Sequence, residues 1–141
     1  NKEMKIKTIP FNAVQKAFYK LLSEGQTAPV YDRIPAGDEE MPYIWLGEFH
    51  GVPVEDNKTH TVHRISQQID IWSNQPGKKE VNEILNDVAT LVRHYQLPLE
   101  GFKQVGDAHI SLYQAIGERY EDKTSAYHGI MMIEYTIEEI D

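Results

Sequence analysis

The sequence predicts an α+β fold: a mixed, mainly antiparallel sheet of about four strands, with two helices packed on one face. Two neighbouring segments indicate this class. Between Arg64 and Ile71, isoleucines alternate with polar residues, as in a strand that buries one face. From Lys79 to Tyr95, apolar residues recur at helical spacing and form one stripe. A strand with one polar face that leads into an amphipathic helix is typical of a sheet covered on one side.

The first helix is predicted near the beginning of the chain. Thr8 and Pro10 have the pattern of an N-cap followed by a first-turn proline, and Gly25 is placed to end the helix. A short extended segment is predicted after it, at Val30–Ile34. The apolar stripe of this helix comprises Phe11, Val14, Phe18, Leu21 and Leu22.

The remaining strands are predicted from the alternation of apolar and polar residues. Tyr43–Phe49 is apolar on both faces, as in a central strand or one whose second face is covered by a neighbouring subunit. The next strand ends at Trp72, and Ser73–Pro76 supplies residues that start the second helix. Residues 102–116 show a broken alternation, whereas Tyr127–Glu138 shows the clearest one.

Two features of the strands and loops suggest contact with other molecules. Ile130 and Met132 interrupt the polar face of the last strand, where they would suit a subunit contact. Gly51–Thr61 and Gly117–Ala126 are polar connections, and the first is longer than a tight hairpin needs. Loops of this length are often functional.

Length and composition indicate one soluble domain. The chain has 141 residues, which fits a single domain covering residues 1–141, and 40% of them are hydrophobic. The absence of cysteine excludes disulfides and thiolate metal sites, and it fits a reducing compartment. No apolar run approaches the length of a bilayer span, and the start of the chain lacks the apolar segment of a secretory signal. We therefore expect a soluble, cytoplasmic protein.

The charge balance argues against nucleic-acid binding. There are 22 acidic and 14 basic residues, and the net charge is −8. Binding to phosphates needs clustered lysine and arginine, which this sequence does not show. The sequence also contains no phosphate-binding glycine loop and no nucleophile elbow.

His60 and His63 are the strongest candidates for chemistry. They are three residues apart, but they straddle a predicted loop-to-strand junction and lack a third ligand nearby. With an acid from Glu55 or Asp56, they could serve a small hydrolase or a ligand-binding domain. The more ordinary interpretation is a pair of solvated or hydrogen-bonded imidazoles.

Several motifs, taken in order, resemble a known family. They are FNAVQKAFYKLL, VYDRIP, PYIWLGE, DNKTHT, VHRISQQIDIWS, GKKEVNEILNDV and AYHGIMMIEYTI. This series resembles the small tail-completion proteins of long-tailed bacteriophages and prophages, also called tail-to-head joining or tail-terminator proteins. The resemblance runs from about Phe11 to Glu138. Its most distinctive part is PYIWLGE, then IDIWS, then GKKE opening a helix.

The resemblance implies a structural role, with no enzyme activity and no cofactor. Such proteins form a ring, usually hexameric, that caps the head-proximal end of the tail tube and docks to the head connector. The implied partners are further copies of the chain, the tail tube protein and the head connector or closure protein. DNA would pass through the lumen without specific binding, and no membrane is involved. The implied location is the virion tail, after assembly in the host cytoplasm.

A head-closure protein, or another minor tail component of the same fold, is the alternative to a terminator. Three sets of candidate site residues go with the structural role. The candidate subunit contacts are apolar residues on strand faces: Ile44, Leu46, Ile130 and Met132. The candidate docking residues for the tube or connector lie in the polar loops: Val54, Asp56, Lys58, His60, Tyr120 and Lys123. The candidate lumen acids, which would repel DNA phosphates, are Glu118, Glu121 and Asp122.

Overall fold

A six-stranded sheet carries both helices on one face in the computed structural model, which describes residues 9–54 and 61–140. The helices and strands follow one another along the chain in a fixed order. They are α1 (Phe11–Gly25), β1 (Val30–Tyr31), β2 (Tyr43–Val54), β3 (Val62–Ser73), α2 (Lys79–His94), β4 (Phe102–Gln104), β5 (His109–Arg119) and β6 (Ser125–Glu139).

The α+β class and the mixed sheet are confirmed, but the predicted number of about four strands is wrong. The strand order is β1-β2-β3-β6-β4, and β5 also pairs with β6. β1 is parallel to β2, and the other pairs are antiparallel. The predicted broken strand at residues 102–116 is two strands, β4 and β5, which both pair with β6. Between them Gly106 takes a φ of +75°, which favours glycine and breaks the extended run.

The hydrophobic core lies between the sheet and the two helices. Ile65, Ile69 and Ile71 of β3 are fully buried on the helix-covered face, as their alternation predicts. Phe18 of α1 meets Tyr135 of β6 edge-on, with ring centroids 6.1 Å apart. The buried stripe of α2 comprises Val81, Ile84, Leu85, Val88 and Val92. Both helices therefore cover the same face of the sheet.

Glycine at position 129 allows α2 to approach β6 closely. A Cβ atom there would lie 2.7 Å from Val81 Cγ1 and 3.4 Å from Ile71 Cβ. α2 begins at Lys79, within the segment predicted to be helical, but its N-cap is Lys78 and not Ser73 or Asn74. Ser73 instead joins β3 to the first turn of α2, since its hydroxyl donates a 2.6 Å hydrogen bond to Glu80. Thr8, the predicted cap of α1, lies outside the described residues.

Replacing Tyr135 with phenylalanine is expected to leave the free energy of unfolding unchanged, or to raise it by up to about 1 kcal/mol. The Tyr135 side chain is 1% exposed, and its hydroxyl has no hydrogen-bond partner among the described residues. Burial accordingly raises the pKa of this phenol far above its ordinary value. Removing an unpartnered buried hydroxyl loses no hydrogen bond and removes a desolvation penalty. Urea unfolding of Tyr135→Phe measures the change, with Tyr113→Phe on the exposed part of β5 as the control. A loss above about 1 kcal/mol would show that the hydroxyl is hydrogen-bonded in solution.

Candidate interaction surface

The sheet face opposite the helices is the candidate site. Neither helix packs on this face, because the core residues of both helices meet the other side of the sheet. Strand register places Trp45 beside Asp70, and Asp70 beside Ile130. It also places Trp72 beside His128, and Gln68 beside Met132. We call this surface the open face and define it by six residues: Trp45, Asp70, Trp72, His128, Ile130 and Met132.

A buried carboxylate stands at the centre of the open face. The Asp70 side chain is only 6% exposed, and its Oδ1 lies 2.7 Å from His128 Nε2. The Gln68 amide donates to both Asp70 oxygens, at 3.3 and 3.2 Å. A Cβ at position 47 would lie 2.7 Å from Asp70 Oδ2, so glycine is needed on β2 beside this carboxylate. The carboxylate is therefore enclosed by three neighbouring strands.

His128 connects this carboxylate to β5. Its ring stacks on Trp72, with centroids 4.0 Å apart and an interplanar angle of 11°. Its second nitrogen, Nδ1, lies 3.4 Å from Glu118 Oε2. Burial lowers the pKa of His128, but the hydrogen bonds and charges of Asp70 and Glu118 together raise it above the ordinary value. The imidazolium form is therefore favoured at this position.

This cluster does not have the geometry of a metal site. Asp70 and Glu118 approach opposite nitrogens of the His128 ring, so the three groups cannot bind one ion together. Across residues 9–54 and 61–140, no three histidine or acidic side chains are grouped to hold a metal ion. The arrangement instead provides charge pairing between β3, β6 and β5.

The candidate subunit contacts fall in two different places. Ile44 and Leu46 are 0% and 3% exposed and belong to the hydrophobic core under the helices. They are therefore not available for contact with a second subunit, which corrects that part of the prediction. The apolar pattern of β2 was compatible with either face being covered, and the helices cover the face that bears this pair. Ile130 and Met132 are half-buried on the open face.

The candidate docking residues are described only in part. Val54 is half-buried at the end of β2, whereas Asp56, Lys58 and His60 lie outside the described residues. Tyr120 and Lys123 are exposed in the short connection between β5 and β6. This connection, which we call the hairpin, comprises residues 120–124, because β5 extends to Arg119 and β6 begins at Ser125. Half of the predicted polar loop Gly117–Ala126 is therefore strand.

The three candidate lumen acids have different surroundings. Glu118 accepts a 3.1 Å hydrogen bond from the Tyr120 hydroxyl in addition to its contact with His128. Asp122 accepts hydrogen bonds from the Thr124 hydroxyl at 2.6 Å and its backbone N–H at 3.0 Å, which lower the pKa of Asp122. Glu121 is exposed in the same hairpin. Glu118 and Asp122 thus stabilise local structure as well as contributing charge.

The histidine hypothesis is weakened by the position of His63. This side chain is 4% exposed, and its Nε2 lies 3.1 Å from Glu139 Oε2. It is buried where β3 pairs with β6 and has little contact with solvent. His60, Glu55 and Asp56 lie outside the described residues.

An open groove of about 760 Å³ lies between α2 and β5. Its wall contains both charged and aromatic side chains, among them Arg93, Asp107, His109 and the exposed Tyr113. These side chains do not converge on one point in a hydrogen-bonded cluster, so the groove has no arrangement typical of a catalytic site.

The Asp70–His128–Trp72 cluster was not found by sequence reasoning. Asp70 and His128 were each assigned to a polar strand face, and 58 positions separate them in the chain. The available signal was that Asp70 and Trp72 occupy the polar face of one strand and His128 the polar face of another. Only the register of β3 against β6 shows that these residues touch.

Comparison with known proteins identifies the family. The sequence profile described as "Tail completion protein gp17" matches residues 18–138. The chain belongs to this family. The resemblance to tail-completion proteins is thereby confirmed. No curated protein matches this chain in sequence.

A solved structure shows the same fold. A chain described as "Virion of native gene transfer agent (GTA) particle" superimposes with a TM-score of 0.75 at 19% identity. The match covers 91% of this chain and 96% of the other. In the described part of the tail completion protein, neither helix has the length and apolar character needed to cross a membrane.

Proposed function

We propose that this tail completion protein forms a hexameric ring, which caps the tail tube and forms the tail side of the head–tail junction. It has no catalytic activity in this role. The observation that carries the proposal is the open face, where Ile130 and Met132 lie half-buried on a sheet surface that neither helix covers. Burial of such apolar side chains against a second surface removes them from water and thereby stabilises the contact.

A closed ring needs two different surfaces on each subunit, since each copy contacts its neighbours head to tail. The open face supplies one such surface, and it combines apolar residues with the charged Asp70–His128 pair. The hairpin follows β5 and exposes Tyr120 and Lys123. We propose that the hairpin contacts the tube or the head connector.

The net charge supports a lumen that DNA traverses. With a charge of −8, the assembled subunits repel phosphates and do not retain the genome during passage. Glu121 is exposed in the hairpin and is available for this role. The tail tube protein and the head connector or closure protein are the proposed partners, and the assembled particle is the proposed location, reached by assembly in the host cytoplasm.

Electron microscopy of particles that lack the protein tests this function. Over-long tails without heads are expected, because nothing would stop polymerisation of the tube. Normal tails beside heads that leak DNA would contradict the capping role and would favour a head-closure position. In parallel, purified protein mixed with tubes of its own phage should bind at one end of each tube. Protein that ignores the tubes would also overturn the proposal.

A further inference from the structure

We propose that protonated His128 holds β5 and the hairpin against the rest of the sheet by bonding Asp70 and Glu118 at the same time. We call this proton-dependent contact the pin. β5 is an edge strand, because its only strand partner in the described part of the chain is β6. Most of its side chains are exposed, so few packing contacts add to the ladder of backbone hydrogen bonds. The contact between Glu118 and His128 is one of these few, and it lies next to the hairpin.

The geometry permits two different states of the pin. An imidazolium has two N–H donors and can serve Asp70 and Glu118 at once, whereas a neutral imidazole has only one. Asp70 is the nearer acceptor, at 2.7 against 3.4 Å, and it is also the more buried, at 6% against 35% exposed. Loss of the proton therefore leaves the remaining N–H with Asp70, and Glu118 turns to water.

The buried position of Asp70 explains why the N–H stays there. An uncompensated carboxylate in a buried site costs far more free energy than an exposed one, since it loses hydration without gaining a partner. Gly47 encloses one side of this carboxylate, and Gln68 supplies only neutral donors. Glu118 is a third exposed and regains water when His128 releases it.

Two carboxylates and two phenols lie around the pin. Asp70 of β3 and Glu118 of β5 are the two carboxylates that face His128. Tyr120 lies behind Glu118, and the pKa of its phenol is raised, first by burial and then by Glu118. Tyr43 of β2 also has a raised pKa, first through burial and then through the charge of Glu39. Both phenols stay neutral while His128 titrates.

The direction of the pH effect follows from the raised pKa of His128. In the unfolded chain, histidine titrates near about 6.5. The stabilisation of β5 is therefore complete below that pH, and it is lost as the pH rises through the higher pKa of the folded protein. This inference is independent of the capping role, because it concerns only the free protein.

NMR titration of the purified protein tests the pin. The chemical shifts of the His128 ring nitrogens and of the Tyr120 and Thr124 backbone amides should change with pH around one shared midpoint. Above that midpoint, hydrogen exchange of the hairpin amides, corrected for the intrinsic rate, should become several-fold faster. His94→Gln, on the exposed end of α2, is the matched control and should leave this behaviour intact.

The variant Glu118→Gln separates the pin from a merely structural histidine. It is expected to fold normally, to lower the midpoint of His128 and to remove most of the pH dependence of hairpin exchange. His128 titration without any response of the hairpin would overturn the proposal. So would a Glu118→Gln variant whose hairpin keeps the pH response of the unmodified protein.

Discussion

Replacing Ile130 with asparagine and Met132 with lysine in one chain is expected to abolish ring formation and tube capping. Both residues are half-buried on the open face, so a neighbouring subunit would bury them completely. An apolar anchor at an interface centre contributes about 2 kcal/mol or more, which is roughly 30-fold in affinity for each contact. Every subunit contact of a closed ring contains the same substitutions, so the losses of affinity multiply around the ring.

The choice of side chains keeps the variant folded. The cross-strand neighbour of Ile130 is Asp70, so a new carboxylate at position 130 would face a like charge. Asparagine avoids that repulsion, and lysine at position 132 faces the neutral Gln68 and Leu112. Urea unfolding measures whether the variant is folded. Analytical ultracentrifugation and electron microscopy with tubes measure whether it assembles.

Ile34→Lys is the matched control. Ile34 is 76% exposed and lies in the connection between β1 and β2, outside the open face. This variant should assemble and cap tubes like the unmodified protein. Rings of normal abundance from a folded Ile130→Asn, Met132→Lys variant would remove the open face from the proposed contact.

Replacing Phe18 with alanine is expected to destabilise the fold by about 3–5 kcal/mol. Phe18 is fully buried where α1 meets the sheet, and its ring packs edge-on against Tyr135. Truncation removes buried apolar surface and leaves a cavity, because the rigid strands around it relax only in part. Since small domains are stable by only about 5–15 kcal/mol, a large share of the stability would be lost.

Tyr19→Ala is the comparison for this prediction, because it removes an aromatic ring from the adjacent, exposed position of α1. Its expected effect on the free energy of unfolding is below about 1 kcal/mol. Urea unfolding at constant pH measures both variants. A cost for Phe18→Ala as small as that of Tyr19→Ala would mean that α1 is not anchored to the sheet through Phe18.

Local patterns predicted the elements that bury one face. The isoleucines of β3 and the apolar stripe of α2 alternate with the period of their own element, and both are buried where expected. The division of residues 102–116 into β4 and β5 was not predictable, because both strands are defined by pairing with the distant β6. Ile44 and Leu46 were misassigned for a similar reason, since a strand apolar on both faces does not show which face the helices cover.

The fold class, the two helices, the long strands and the likeness to tail-completion proteins could all be predicted from the sequence. These depend on periodicity and motif order, which are properties of neighbouring residues. The three-dimensional structure was needed to show that Ile130 and Met132 share a face with Asp70 and His128. It was also needed to show that Glu118 of β5 contacts the same imidazole. Contacts of this kind depend on strand register, where a shift of one residue moves every side chain to the opposite face.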